Sequence, residues 1–415
     1  MPNPAKSCAP AARDENLAGN VKLRPAGNRG ARHWNYRICN DFSAFPADPA
    51  LGSGSLGIAP PICYSLSQQG NSRGKVRNSG HPAPATGNAM QTSWIRGAIA
   101  FMLIGTEADA ARAAAAPAMP LQIFVDHLEQ ERAASADGLR SWRSGEAMEL
   151  ATVGILGEAV APRRTLGEAL RVFSRGFPVL QSNSRVSFEV IDDEAHVSYR
   201  VLDPRIWPRR ADTELTLGLI RGICARYGVP NGAIQDLCFE HRPDRDLRVL
   251  SHHLGRTPRF GQDENRIVFS ARVLGNTLCA EPGGDAMTSS KRLDGALIEL
   301  RRQTPVAQRV HELILSRMDR GMVNQSHVAA ELGMSERSLR RALAAEGQPF
   351  HEILEECRRI HGFALLVRSD RLFGEIALLL GYSDQTAFSR AFSRWYGISP
   401  REIRKMGAEE VSVIR

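Results

Sequence analysis

The chain has 415 residues, and its seven cysteines (Cys8, Cys39, Cys63, Cys224, Cys238, Cys279 and Cys357) include no C-x-x-C pair. Their number is odd. Both facts argue against a disulfide framework and a zinc ribbon, and they suit a reducing cytoplasm. Long apolar runs are missing too. The longest, "AIAFMLIG" at 98–105, is too short to span a bilayer. Were Met90 the first residue, this run and the "AAAAPAMP" after it would only loosely mimic a secretory leader, and the residues beyond them have a cytoplasmic character. No glycine-rich loop comes after a strand with phosphate-cradling spacing. No Ser, His and Asp set is placed by a motif that would activate a nucleophile.

What the sequence does hold is ordinary for a globular protein: 43% hydrophobic and 24% charged residues, enough for at least one sizeable core. The net charge of +8 favours a polyanionic partner without proving one. Most of that excess sits in residues 1–90, where ten Lys and Arg face four Asp and Glu. This segment is rich in Pro, Gly, Ser, Asn and Ala and has no sustained apolar period, so disorder is expected there. A dispensable extension explains it better than a basic arm on nucleic acid.

Residues 91–285 mix two periodicities. "LQIFVDHLEQERA" places Leu121, Phe124, Val125 and Leu128 on one helical face. "TLGEALRVFSRGF" does the same with Leu166, Leu170 and Phe173, and Thr165 with Glu168 makes a capping box. "RVSFEVIDDEAHVSYRVLD" alternates, as two strands of a hairpin would. "TELTLGLIRGICARYG" predicts an amphipathic helix ending at Gly228. "AIQDLCFEH" and "NRIVFS" are short strand candidates. The expected class is an α+β domain. Residues 286–304 have the character of a linker running into a short helix, and 305–408 are helical throughout.

Within that helical part, "ELGMSERSLRR" stops an apolar helical pattern at Gly333 and restarts it at Ser335. Ala329, four residues before the glycine, is small where two helices must approach closely. Val328, Leu332, Met334, Leu339 and Leu343 supply the apolar positions, and Ser335 can cap the second helix. This is the pattern of a helix-turn-helix. Arg337, Arg340 and Arg341 share the opposite face of the second helix, at spacings suited to guanine edges or phosphates. The pattern recurs in "GEIALLLGYSDQTAFSRAFSRWYG", where Ala377 precedes Gly381 by four and Ser383 or Asp384 can cap. There Phe388 and Phe392 point inward, and Gln385, Thr386, Ser389 and Arg390 point outward. The long amphipathic stretch between the units could hold two recognition helices about one turn of B-DNA, roughly 34 Å, apart.

Residues 305–408 resemble the DNA-binding domain of the AraC/XylS family of bacterial transcription regulators, above all in "EIALLLGYSDQTAFSRAFSRWYGISPREIR". The resemblance implies two helix-turn-helix units, each entering a major groove. It implies Arg337, Arg340, Arg341, Gln385, Thr386, Ser389 and Arg390 as the DNA-facing residues. Double-stranded DNA and RNA polymerase are the implied partners, with a small-molecule effector and a second copy of the chain beside them. No cofactor, metal or membrane is implied. One departure stands out: family members usually carry a polar cap near Leu372 or Gly374, so the second unit's first helix is weakly started, with Asp370 as the nearest substitute. "TLGEAL", "SYRVLDPRIWPRRADTELTLGLI" and "HLGRTPRFGQDENRIVFSARVL" resemble the so-called arabinose-binding effector domain of the branch that includes ornithine-use and virulence regulators. Arabinose itself is not implied.

Other readings compete. The middle domain could be a ligand-free protein-interaction module. An enzyme fused to this kind of tail, as in DNA-repair methyltransferases, would need a zinc-binding cysteine cluster and a Pro-Cys-His nucleophile, and neither is visible. His241, His252 and His253 read as ordinary histidines, because adjacent helical residues point about 100° apart and rarely share an ion. "RPDRDLR" reads as a solvated face, and Trp207 and Phe260 as core.

Overall fold

The computed structural model describes residues 93–96, 118–243, 247–279, 284–318 and 323–410. Residues 1–90, the run at 98–105 and the middle of "RPDRDLR" lie outside the described residues. Two short antiparallel strands, β1 (Trp94–Ile95) and β2 (Met119–Pro120), lead into α1 (Leu121–Ala134), which buries Leu121, Phe124, Val125 and Leu128 as its spacing predicts. Then come α2 (Arg140–Glu146), α3 (Gly154–Val160) and α4 (Leu166–Gly176). The Thr165 hydroxyl accepts from the Glu168 N–H at 3.3 Å, and the Glu168 carboxylate accepts from the Thr165 N–H at 3.4 Å, so the expected capping box forms.

The hairpin is β3 (Ser184–Ile191) and β4 (Glu194–Val201). Its turn sets Asp192 and Asp193 at φ 46° and 64°, a left-handed backbone that aspartate tolerates and tight hairpins require. After α5 (Arg210–Arg226) come β5 (Ile234–Cys238), α6 (Leu247–Leu254) and β6 (Asn265–Ser270). The four long strands form one antiparallel sheet in the order β3-β4-β6-β5. Helices cover one face of it, so this region is α+β.

Three expectations for this region need correction. The helix α5 is not amphipathic but buried nearly all round, including Asp212, Thr213 and Glu214 at its start. It lies between the sheet and α2, and glycines bring α2 so close that only its last turn keeps exposed residues, Ala225 and Arg226. Residues 286–304 are no extended linker: α7 (Ala286–Gln303) is an 18-residue helix, N-capped by Asp285, whose Leu293 is fully buried in the middle region's core. Trp207 is half-exposed at the seam with the helical region, where the Arg368 guanidinium stacks 4.6 Å from its ring centre. Phe260 does pack at the edge of the core, stacked on Phe239 at 5.5 Å.

Burial pushes the Asp212 carboxyl up to about 7, although it accepts a 2.6 Å hydrogen bond from the Tyr199 hydroxyl. Glu214 is pushed up to about 6 by the same cause, against the opposing pull of Arg210 at 2.6 Å. Unfolded carboxyls titrate near 4. The folded state therefore holds extra protons above pH 4, and the stability that these protons confer is lost as pH rises through about 6 and 7. Asp212→Asn, which keeps an acceptor for Tyr199 but cannot ionise, should flatten the fall in stability between pH 5 and 8. Denaturant melts across that range check this; an unchanged slope would show that Asp212 does not titrate there.

The rest is helical: α8 (Val306–Arg317), α9 (Gln325–Glu331), α10 (Glu336–Ala345), α11 (Phe350–Arg368), α12 (Phe373–Leu379), α13 (Gln385–Tyr396) and α14 (Pro400–Glu410). A separate core joins them, built on Val310, Ile314, Leu339, Ile353, Phe363, Ile376, Phe388 and Phe392. At 19 residues α11 is about 28 Å long and forms the spine between the two halves. Among the described residues no helix is long and apolar enough to cross a membrane.

Candidate nucleic-acid interface

The two turns predicted from the sequence share one backbone plan. In the first, Gly333 has φ 68° and its N–H donates to the Ala330 carbonyl at 3.0 Å, while the Met334 N–H donates to the Ala329 carbonyl at 2.9 Å. In the second, Gly381 has φ 75°, its N–H reaches the Leu378 carbonyl at 3.0 Å, and the Tyr382 N–H reaches the Ala377 carbonyl at 2.9 Å. Only glycine takes this left-handed conformation without strain, which is why both helices stop there. Ala329 and Ala377 are buried where the paired helices meet.

The units differ by one residue in the turn. Ser335 caps α10 by accepting from the Ser338 N–H at 3.1 Å. Of the two candidate caps in the second unit, Asp384 takes the role, accepting from the Ala387 N–H at 2.8 Å, and that bond holds its carboxyl below the usual range. The glycines are 48 residues apart, but the recognition helices start 49 apart. Counted from the caps, Arg337 matches Thr386, Arg340 matches Ser389, and Arg341 matches Arg390. Leu339 and Leu343 likewise match Phe388 and Phe392, all four buried. Both helices thus present the same outward positions.

All seven candidate residues fall on these faces. Arg337, Arg340, Arg341, Gln385, Thr386 and Arg390 are exposed, and Ser389 is half-buried. The guanidinium groups of Arg337, Arg341 and Arg390 stand on exposed positions, where their donors are available to a ligand. Arg340 lies 4.0 Å from Glu336 on the same exposed helix, a pairing too weak to compete with phosphate or base.

A residue the sequence did not reveal is Arg358 on α11. Its Nε donates to the Leu380 carbonyl at 2.8 Å, its Nη2 reaches the Gly381 carbonyl at 3.3 Å, and its guanidinium stacks 4.9 Å from the Tyr382 ring centre. It satisfies carbonyls that the end of α12 leaves open and ties the second turn to the spine. Its partners lie 22 and 23 residues away, so no local pattern signals it.

The start of α12 is as weak as the sequence implies. Leu372 stands at the cap position, mostly exposed, and cannot accept a hydrogen bond; only Glu375 reaches back, to the Leu372 N–H at 2.9 Å. Asp370 does not substitute, because it faces Arg242 of the middle region at 3.4 Å. The backbone of Leu372 (φ −65°, ψ 148°) already suits a cap. Leu372→Thr should therefore complete a capping box and stabilise the second unit by about 0.5–2 kcal/mol. Thermal melting and DNA titration of the variant check this. No gain in melting temperature would mean that Leu372 packs usefully where it stands.

The three histidines face different groups. His241 is buried, its ring 4.8 Å from that of Phe239, and burial pushes it down to about 4. His253 contacts Glu146 at 2.8 Å, and His252 is exposed.

Comparison with known proteins gives two family matches. Residues 100–278 match the model described as the arabinose-binding domain of AraC transcription regulator, N-terminal, and residues 328–406 match a helix-turn-helix domain. The chain is 28% identical over 225 residues to the HTH-type transcriptional regulator VirS of Mycobacterium tuberculosis, an alignment covering 54% of this chain and 65% of that protein. It is 26% identical over 268 residues to the ornithine utilization regulator of Pseudomonas aeruginosa, covering 63% of this chain and 77% of the relative. The HTH-type transcriptional regulator VqsM of the same organism is 29% identical over 313 residues, covering 68% and 92%.

Proposed function

The chain belongs to the AraC family of transcription regulators, and on that premise we propose that it binds DNA sequence-specifically through α10 and α13, which enter two successive major grooves. One observation carries this reading: two helix-turn-helix units present the same outward positions from matched caps, joined by a spine about 28 Å long. The middle region controls the DNA-binding half in response to a small molecule or to self-association. Self-association has its own support, because β3 is an edge strand whose Val190 and Ile191 are exposed near the hairpin tip. RNA polymerase is the further partner, the cytoplasm the place of action, and the chain catalyses no reaction.

The test is selection of bound sequences from a random duplex library by the purified chain, then titration at several salt concentrations. The expected result is a motif of two half-sites about 10 base pairs apart, with affinity falling steeply as salt rises. Retention of no preferred sequence would overturn the reading.

A further inference from the structure

A short link, residues 369–372, joins the end of α11 to the start of α12. It sets the direction of α12, and Leu372 offers that helix no side-chain cap. Groups from the middle region hold it instead. Arg368 stacks 4.6 Å from the Trp207 ring centre, Asp370 meets Arg242 at 3.4 Å, and Arg371 pairs with Asp263. Three of the four consecutive residues 368–371 thus touch the middle region.

The three partners share an origin. β4 and β5 each run antiparallel to β6, so the loop after β4, the loop after β5 and the loop before β6 leave the same end of the sheet. Trp207, Arg242 and Asp263 sit on these three loops in that order. Trp207 is fixed there by its neighbour Arg209, whose guanidinium lies 5.8 Å from the same ring centre. Arg209 bonds both carboxylate oxygens of Glu240 at 2.6 and 2.7 Å and the Val201 carbonyl at 2.7 Å. An exposed ion pair contributes little alone, because solvent screens it. Side by side on one short link, the two pairs and the stacked arginine fix its direction relative to the sheet.

The first unit is started from within the helical region. Asn324 caps α9 by accepting from the His327 N–H at 2.8 Å, and Arg317 of α8 bonds Glu331 at the far end of α9 at 2.6 Å. The two units present matched outward positions yet differ in what holds their first helix.

We propose that this end of the sheet positions the second helix-turn-helix unit on DNA, with Trp207 and Asp263 as positioning residues for the half-site under α13. The proposal rests on the reading of α10 and α13 as paired DNA readers, and it gives the middle region a handle on one of them.

The experiment compares the full chain with Asp263→Lys and Trp207→Ala. Each is put through selection from a random duplex library, then titrated with the selected duplex and with two derivatives, each with one half-site scrambled. Gln385→Ala combined with Arg390→Ala, which strips the outward face of α13, marks the half-site under that helix. Asp263→Lys sets a cation against Arg371 from an exposed loop position, so it leaves the cores intact. Both variants are expected to lose preference in the α13 half-site, to keep it in the other, and to bind the intact duplex about fivefold or more weakly. On the duplex whose α13 half-site is scrambled they should match the wild-type chain, which also shows that they are folded. Glu149→Lys, the same charge change at an exposed position between α2 and α3, should leave both half-sites read as before. Equal loss in both half-sites, an unchanged selection, or tighter binding by Asp263→Lys than by Glu149→Lys overturns the proposal; if the wild-type chain still selects DNA, the regulator reading stands. A wild-type chain that selects nothing overturns that reading, and this proposal with it.

Discussion

Arg341→Ala is expected to weaken binding to the selected site by about 1–3 kcal/mol and to relax the base preference in one half-site only. Arg390→Ala should relax preference in the other, about one helical turn away. The two arginines stand at matched positions from the caps Ser335 and Asp384, and both are exposed. Each can offer a bidentate fork to the O6 and N7 of a guanine. A phosphate contact would behave differently: its loss would weaken all sequences alike and lower the salt dependence by about one ion. The effect at Arg390 should be the smaller, because α12, which braces its helix, starts at an uncapped Leu372. Binding-site selection with the wild-type chain and both variants decides the matter. An unchanged preference in both would refute base reading and leave phosphate contact as their role.

Local chemistry made much of this architecture legible. The faces of α1 and α4, the alternation of β3 and β4, the Thr165 capping box and the two glycine turns each arise from residues within a few positions of one another. What was not legible depends on distant partners. Glu214 lies in the stretch that reads as an amphipathic helix, yet it is buried against Arg210; Asp212, one residue before that stretch, is buried against Tyr199 of β4. Ser383 and Asp384 are equally able to cap, so the extra residue in the second turn emerged only from the backbone. The helix at 286–303 was obscured by the glycines and serines at its start, and Leu293 alone does not announce a docking face. Trp207 looks like core in any sequence, yet it stacks with an arginine 161 positions away.

The contact between α2 and α5 is the least visible of these, and it leads to the largest expected loss of stability. Gly→Ala inside a helix ordinarily gains up to about 1 kcal/mol, because alanine has less chain entropy to lose. At Gly218 the sign should reverse. A Cβ there would lie 2.3 Å from the Trp142 carbonyl oxygen and 3.2 Å from the Glu146 nitrogen, and these are backbone atoms that no rotamer change can move. Gly222 meets the Glu146 oxygen at 2.5 Å in the same way, and Gly145 on α2 meets the Leu215 oxygen at 2.0 Å. Glycines on both helices thus set their separation, and a single methyl forces them apart along a fully packed seam. Gly218→Ala should cost about 2–3 kcal/mol or more, a large share of a domain's usual margin of about 5–15 kcal/mol. Gly295→Ala is the matched control: it sits in α7 with nothing within 4 Å of its added methyl and should hold or raise stability. Thermal melts of both variants test the pair. If Gly218→Ala melts no lower than the wild-type chain, the two helices are not held at glycine distance.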